Sequence, residues 1–182
     1  MYWYVLFVHT GREFRVEQLI KKRLDSEKFR PFVPLHEKII KISGIVKKEV
    51  SPLFPSYVFI ESEVPSQEFI EKVSPLIHNS LDIVHLLKYS DSEIAIREAE
   101  RKKLLSLYND NYCIESSKAI IEGDKIYITD GPLIGQESII KRVDRHKRRA
   151  WIEIDLMGDT KLINVAIEIV KKSSQEISLA YK

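Results

Sequence analysis

Glu122-Gly123-Asp124 and Asp130-Gly131-Pro132-Leu133-Ile134-Gly135, followed by Lys141-Arg142-Val143-Asp144-Arg145-His146-Lys147-Arg148-Arg149, decide how the last third of this chain folds. Residues 124–129 alternate Ile126 and Ile128 with Lys125, Tyr127 and Thr129, the period-two pattern of a half-buried strand. Gly131-Pro132 and Gly135 punctuate a turn, because glycine adopts positive φ readily and proline presets φ near the turn value. Further strands are predicted over 137–143, 150–156 and 161–165, with 166–170 as a fifth. Short strands at this spacing favour a small closed barrel, since closure removes exposed edges. From Lys141 to Arg149 there are six Lys/Arg, one His and a single Asp, a concentration suited to gripping nucleic acid.

Working outward, 182 residues suffice for one large domain or two small ones. The net charge of +2 is nearly balanced, so affinity for nucleic acid must come from local clustering. A single cysteine, Cys113, forbids an intramolecular disulfide and fits a reducing compartment. No apolar run approaches the roughly 20 residues of a bilayer span, and the N-terminus lacks a basic secretory leader. A soluble, cytoplasmic, monomeric protein without membrane association is expected.

The first 112 residues read as a separate α+β unit, an antiparallel sheet packed with helices. Residues 3–8 form a continuous apolar run, as for a strand buried on both faces. Thr10-Gly11-Arg12-Glu13 has the form of a capping box, with Thr10 accepting from the Glu13 amide. The helix that follows places Val16, Leu19, Ile20 and Leu24 on one face. Residues 36–50 suggest two strands joined near Ser43-Gly44, and 57–60 another. A short helix starts at Ser66 and stops at Pro75, 83–88 is a strand, and 97–108 a helix burying Leu104, Leu105 and Tyr108. Polar residues 109–119 carry neither periodicity, so the connection between domains is placed at 113–119. The domains are then 1–112 and 120–172, with 173–182 as a tail.

Trp3-Tyr4-Val5, Leu53-Phe54-Pro55-Ser56-Tyr57-Val58-Phe59, Gly123-Asp124 and Asp130-Gly131-Pro132 occur in an order and spacing that resembles the NusG family of transcription elongation factors. The resemblance spans nearly the whole chain. It implies an N-terminal NusG domain followed by a KOW domain, an SH3-like all-β barrel, and no enzymatic activity or cofactor. It further implies binding to the clamp helices of the RNA polymerase largest subunit through an apolar patch, here Phe54, Tyr57 and Phe59, with Phe7 on the neighbouring strand. Aromatic side chains suit such a patch, since they supply contact area at low entropic cost. A second surface, matching His9, Arg12 and Arg15, implies contact with non-template DNA.

Departures from the family pattern narrow the resemblance. Leu133 stands where an aromatic usually follows Gly-Pro, at a position implied in binding a ribosomal protein or Rho. Lys141, Arg142, Arg145, His146, Lys147, Arg148 and Arg149 are more basic than a KOW turn needs. This combination resembles the specialised LoaP-type antiterminators, which implies a nascent leader RNA hairpin as partner. A general elongation factor with a protein-binding KOW domain and a ribosome-associated RNA-binding module are the alternatives. Trp151, beside the turn, is read as a partly exposed packing residue. Enzyme chemistry lacks a constellation: the five histidines are scattered, Cys113 sits in the predicted connection, and the six glycines stand singly at turns.

Overall fold

The computed structural model describes residues 1–123 and 125–170. Asp124, the predicted barrel's last residues Lys171 and Lys172, and the predicted tail 173–182 lie outside the described residues. The apolar N-terminal run forms β1 (Tyr2–Val8), one of the two inner strands of a four-stranded antiparallel sheet. That sheet has the order β2 (Phe29–Phe32), β5 (Tyr57–Ser62), β1 and β6 (Ile83–Leu86). On one face Tyr4, Leu6, Val58 and Ile60 pack on Val16 and Ile20 of α1 (Glu13–Arg23) and on Phe69 and Val73 of α2 (Ser66–Asn79). On the other face Trp3, Val5 and Phe59 meet Phe32, Phe54 and Leu104 of α3 (Glu98–Leu105). Burial on both faces is why residues 3–8 carry no alternation.

Several elements depart from their predicted form. Strand β2 escaped notice because it contains Pro31, which is compatible with the edge position it occupies. Thr10 does not cap α1. The N-cap is Arg12 without a side-chain bond, while the Thr10 hydroxyl pairs with Ser56 Oγ at 2.7 Å. The buried Glu13 carboxylate accepts the Ser56 amide, also at 2.7 Å. Both side chains thus secure the Leu53-Phe54-Pro55-Ser56 turn, where Ser56 has φ +71°. Pro75 does not stop α2, which runs on to Asn79. Near its end the His78 ring bonds the Ser74 carbonyl and Asn79 Nδ2 donates to the Pro75 carbonyl, side-chain contacts that reinforce the last turn. In the third helix Leu104 is buried but Leu105 is exposed, and Leu107, past the helix end, is buried.

Strands β3 (Leu35–Ile42) and β4 (Ile45–Pro52) make a long hairpin. Positive φ at both Ser43 and Gly44 matches the two-residue turn whose twist suits paired strands. The stretch read as a connection is strand on both sides of Glu115-Ser116. β7 (Cys113–Ile114) pairs parallel with β3, and β8 (Ser117–Glu122) opens the C-terminal unit.

That unit adds β9 (Lys125–Asp130), β10 (Ile140–Asp144), β11 (Arg149–Leu156) and β12 (Asp159–Ile169) in the order β10-β11-β12-β8-β9. Residues 137–139 are a single 3-10 turn rather than strand, and the predicted fourth and fifth strands are one continuous β12. Its interior is Ala119, Ala150, Ile152, Ile154, Leu156, Ile163, Val165 and Ile167, with Leu133 tucked in from the Gly-Pro turn. The result is a mixed α+β architecture, three helices and several sheets, with a small β unit at the C-terminal end.

The two units touch. Glu100 of α3 accepts the Met157 amide at 3.0 Å and the Gly158 amide at 3.4 Å. Lys103 bonds Gln136, and Glu37 of β3 accepts the Ser116 amide at 2.7 Å.

Candidate nucleic-acid interface

The basic run forms the tip of the β10–β11 hairpin, where Asp144 pairs with Arg149 and residues 145–148 make the turn. Asp144 Oδ1 accepts the Lys147 amide at 2.9 Å, the bond that chiefly holds this carboxyl below its usual range. Arg148 sits at φ +52°, and its carbonyl accepts the Ile167 amide at 3.0 Å, fastening the turn to β12.

The seven predicted basic residues divide by what they touch. Lys141 pairs with Glu153 at 2.9 Å, and Arg148 lies 3.7 Å from Glu168. The guanidinium carbons of Arg142 and Arg149 stand 4.8 and 5.6 Å from the centroid of the Trp151 ring. Trp151 is therefore a half-buried platform that positions two arginines, each such contact contributing about 0.5–1 kcal/mol at an exposed site. Arg145, His146 and Lys147 are exposed and have no ion pair among the described residues. A turn with this arrangement presents guanidinium forks and ammonium donors to an anion without first breaking strong internal pairs.

Strand β3 supplies neighbours that the sequence did not associate with the turn. A cleft of about 280 Å³ is lined by Lys38 and Ile40 of β3, by Lys147, Arg148 and Arg149, and by Asn164 of β12. Lys38 is more than 100 positions from these arginines in sequence, so no local pattern could have found it.

Beside the cleft, buried His36 bonds Ser51 Oγ through Nε2 at 3.0 Å, and its Nδ1 has no well-formed partner. Burial first, and Lys38 second, lower its pKa to about 4, against a weaker upward pull from the Asn164 backbone. The unfolded chain takes up this proton below about pH 6.5, whereas the folded chain does so only near pH 4. Stability from neutral His36 is thus complete above about pH 6.5 and is lost as the pH falls towards 4, at about 1.4 kcal/mol per pH unit. His36→Gln is expected to flatten that dependence, read from denaturation midpoints between these pH values. An unchanged slope would assign the acid sensitivity to other groups.

The other expected surfaces are placed as follows. Phe59 is fully buried, ringed by Trp3, Phe32 and Phe54, and Phe54 is only 4% exposed. Phe7 and Tyr57 are half-buried and face one another across β1–β5 at 5.8 Å, with His85 5.3 Å from Phe7. Tyr57 and Phe59 share a sheet face, yet only Tyr57 keeps exposed surface. Exposed His9, Arg12 and Arg15 gather at the start of α1, where both arginines pair with Asp82, at 3.7 and 3.0 Å. Arg15 also lies on the lip of an open groove of about 1100 Å³ between α1 and α2. Among the described residues no group of three or more His, Cys, Asp or Glu side chains could hold a metal ion, and no helix could cross a membrane.

The family model described as "Transcription termination factor nusG" matches residues 1–105, more than half of the chain and the whole four-stranded sheet with its helices. The chain belongs to the NusG family. Its relatives extend the likeness through the β unit. A transcription termination/antitermination protein NusG from Rickettsia felis is 22% identical, covering 94% of this chain and 90% of the relative. The protein of that name from Pasteurella multocida is 22% identical over 94% of this chain and 95% of its own length. That from Buchnera aphidicola is 24% identical over 94% and 96%. These NusG relatives are transcription factors, not enzymes. The family-model match ends at residue 105, before the basic turn, and at 22–24% identity the relatives leave what the turn binds to its own chemistry.

Proposed function

We propose that this NusG-family chain is a transcription elongation and antitermination factor. Its N-terminal domain, residues 1–112, binds the clamp helices of the RNA polymerase largest subunit. Its KOW domain, an SH3-like barrel over residues 120–172 joined through 113–119, contacts a nascent leader RNA hairpin in the manner of the LoaP-type paralogues. Arg12 and Arg15, with His9, contact non-template DNA. The observation that carries the RNA reading is the β10–β11 turn, where Arg145, His146 and Lys147 project without ion pairs among the described residues beside the Arg-bearing Trp151 platform. Duplex RNA is recognised largely by shape and backbone, and a protruding turn can enter where a bulge or loop opens the groove.

Polymerase contact falls to Phe7 and Tyr57, the two members of the aromatic set with exposed surface, while Phe54 and Phe59 support them from within the core. Tyr57→Ala is expected to weaken polymerase binding at least tenfold, about 1.4 kcal/mol, the scale of an interface anchor. A folded Tyr57→Ala protein that binds polymerase normally would refute this assignment.

Less favourable to the protein-binding alternative, Leu133 is fully buried, and Ile134 is the large apolar side chain that this turn exposes. The deciding experiment compares binding of the full chain to a bulged stem-loop RNA and to a length-matched unstructured strand over a range of salt. Preference for the stem-loop with steep salt dependence supports the proposal. Equal, weak binding to both would leave a polymerase-riding factor whose barrel has a protein partner.

A further inference from the structure

The cleft between β3 and the basic turn draws side chains from both halves of the chain. Four of its lining residues are cationic: Lys38 on β3, and Lys147, Arg148 and Arg149 on the turn. Among the described residues Glu37 is the only acid lining it, and its carboxylate is committed elsewhere, to the Ser116 amide at 2.7 Å and Lys48 Nζ at 3.0 Å. Arg148 has only the longer 3.7 Å approach to Glu168, and Lys38, Lys147 and Arg149 have no ion pair among the described residues. Lys47 extends the same charge, because it pairs across the hairpin with Ile40 and so shares the sheet face of Lys38. Lys41 alternates with Lys38 along β3, so its side chain lies on the other face, and it is not among the residues lining the cleft.

Like charges held together without an anion repel, and a bound anion relieves that repulsion. Asn164 is a further polar residue of the lining. The cleft is too small for a duplex but suits a phosphodiester with its sugar.

We infer that Lys38 and Lys47 of the N-terminal hairpin and Lys147, Arg148 and Arg149 of the barrel turn form one composite site for RNA backbone phosphate, so that bound RNA bridges the two domains. The inference rests on the proposed RNA-binding role of the turn and extends it to a surface outside the barrel. RNA entering the groove by the turn would lay its flanking backbone in the cleft. The domain contacts through Glu37, Glu100 and Lys103 hold the two halves of the site in place before RNA arrives. Affinity should then exceed what the turn achieves alone, since both sets of cations are prearranged.

The phosphate contribution is independent of sequence, so a generic bulged stem-loop RNA serves as probe. In the full chain, Lys38→Gln is expected to lower affinity several-fold near physiological salt and to reduce the log–log salt slope by about 1, the signature of one lost phosphate contact. Lys41→Gln removes the same charge from the opposite face and should leave the slope unchanged. Equal effects of the two substitutions would reduce the result to net charge and overturn the composite site. So would a Lys38→Gln slope equal to wild type alongside a reduced slope for Arg148→Gln, with the turn still binding RNA. Failure of the unsubstituted chain to bind the stem-loop would overturn the underlying RNA reading itself.

Discussion

Gly131→Ala is expected to destabilise the chain by about 3 kcal/mol or more. Two independent costs add. Gly131 has φ +95°, where a side chain costs on the order of 1–2 kcal/mol. Its new Cβ would also lie 2.7 Å from Ser117 Cα and 2.8 Å from the Ser116 carbonyl oxygen, both backbone atoms that cannot swing aside. The turn could relieve the clash only by lifting from β8. That would break the 3.2 Å bond from the Leu133 amide to Ser117 Oγ and withdraw fully buried Leu133 from the core. Exposing a leucine-sized side chain costs about 1.5–3 kcal/mol by itself. Gly44→Ala is the comparison: φ is +83°, but nothing lies within 4 Å of the added carbon, so the loss should stay near 1 kcal/mol. Denaturant midpoints of the two variants measure the difference. Similar midpoints would mean that the Gly131-Pro132 turn is not packed as described.

Replacing Arg145, Arg148 and Arg149 together with glutamine is expected to abolish most RNA binding. Each arginine that neutralises a phosphate contributes roughly 0.7–0.9 to the log–log salt slope, so the slope should fall by about 2–3. At physiological salt an affinity loss on the order of a hundredfold corresponds to about 2.7 kcal/mol, a modest share for three charge-assisted contacts. The fold should survive, because Arg145 makes no ion pair among the described residues and Arg148 makes only the 3.7 Å approach to Glu168. Arg149 gives up its place over Trp151, at 5.6 Å the looser of the two ring contacts, while Arg142 remains at 4.8 Å. Circular dichroism and a melting curve check the fold, and filter or fluorescence binding across salt checks the slope. An unchanged slope would show that the exposed cations are merely solvated, the usual state of a basic loop. The proposed RNA contact would then fail while membership of the NusG family stands.

Period and punctuation made much of the architecture legible. The apolar run of β1, the alternation of β9 and β11, and the Asp130-Gly131-Pro132 turn each encode local geometry directly, so they could be read without neighbours. Elements whose form depends on distant partners were misread. Pro31 looks like a strand breaker until β2 is known to be an edge, where no partner asks for its missing amide proton. Thr10 and Glu13 look like a capping pair until Ser56, over 40 residues away, claims both side chains. Residues 113–119 join the two units, and their pairing with β3, β9 and β12 is a tertiary property that their own pattern does not announce.

The candidate site divides in the same way. Charge density alone marked the basic turn, because six Lys/Arg within nine positions cannot be buried and must crowd at a surface. The chain's own residues likewise determined the strand-rich character of the C-terminal unit and the likeness to NusG proteins. Tertiary structure alone decided that Phe54 and Phe59 face inward while Phe7 and Tyr57 stay partly open, since a strand's alternation says which residues share a face but not what covers it. It alone brought Lys38 beside Arg148 and Arg149, because proximity between residues so far apart in sequence is set by how β12 packs against β3, a contact that no local period encodes.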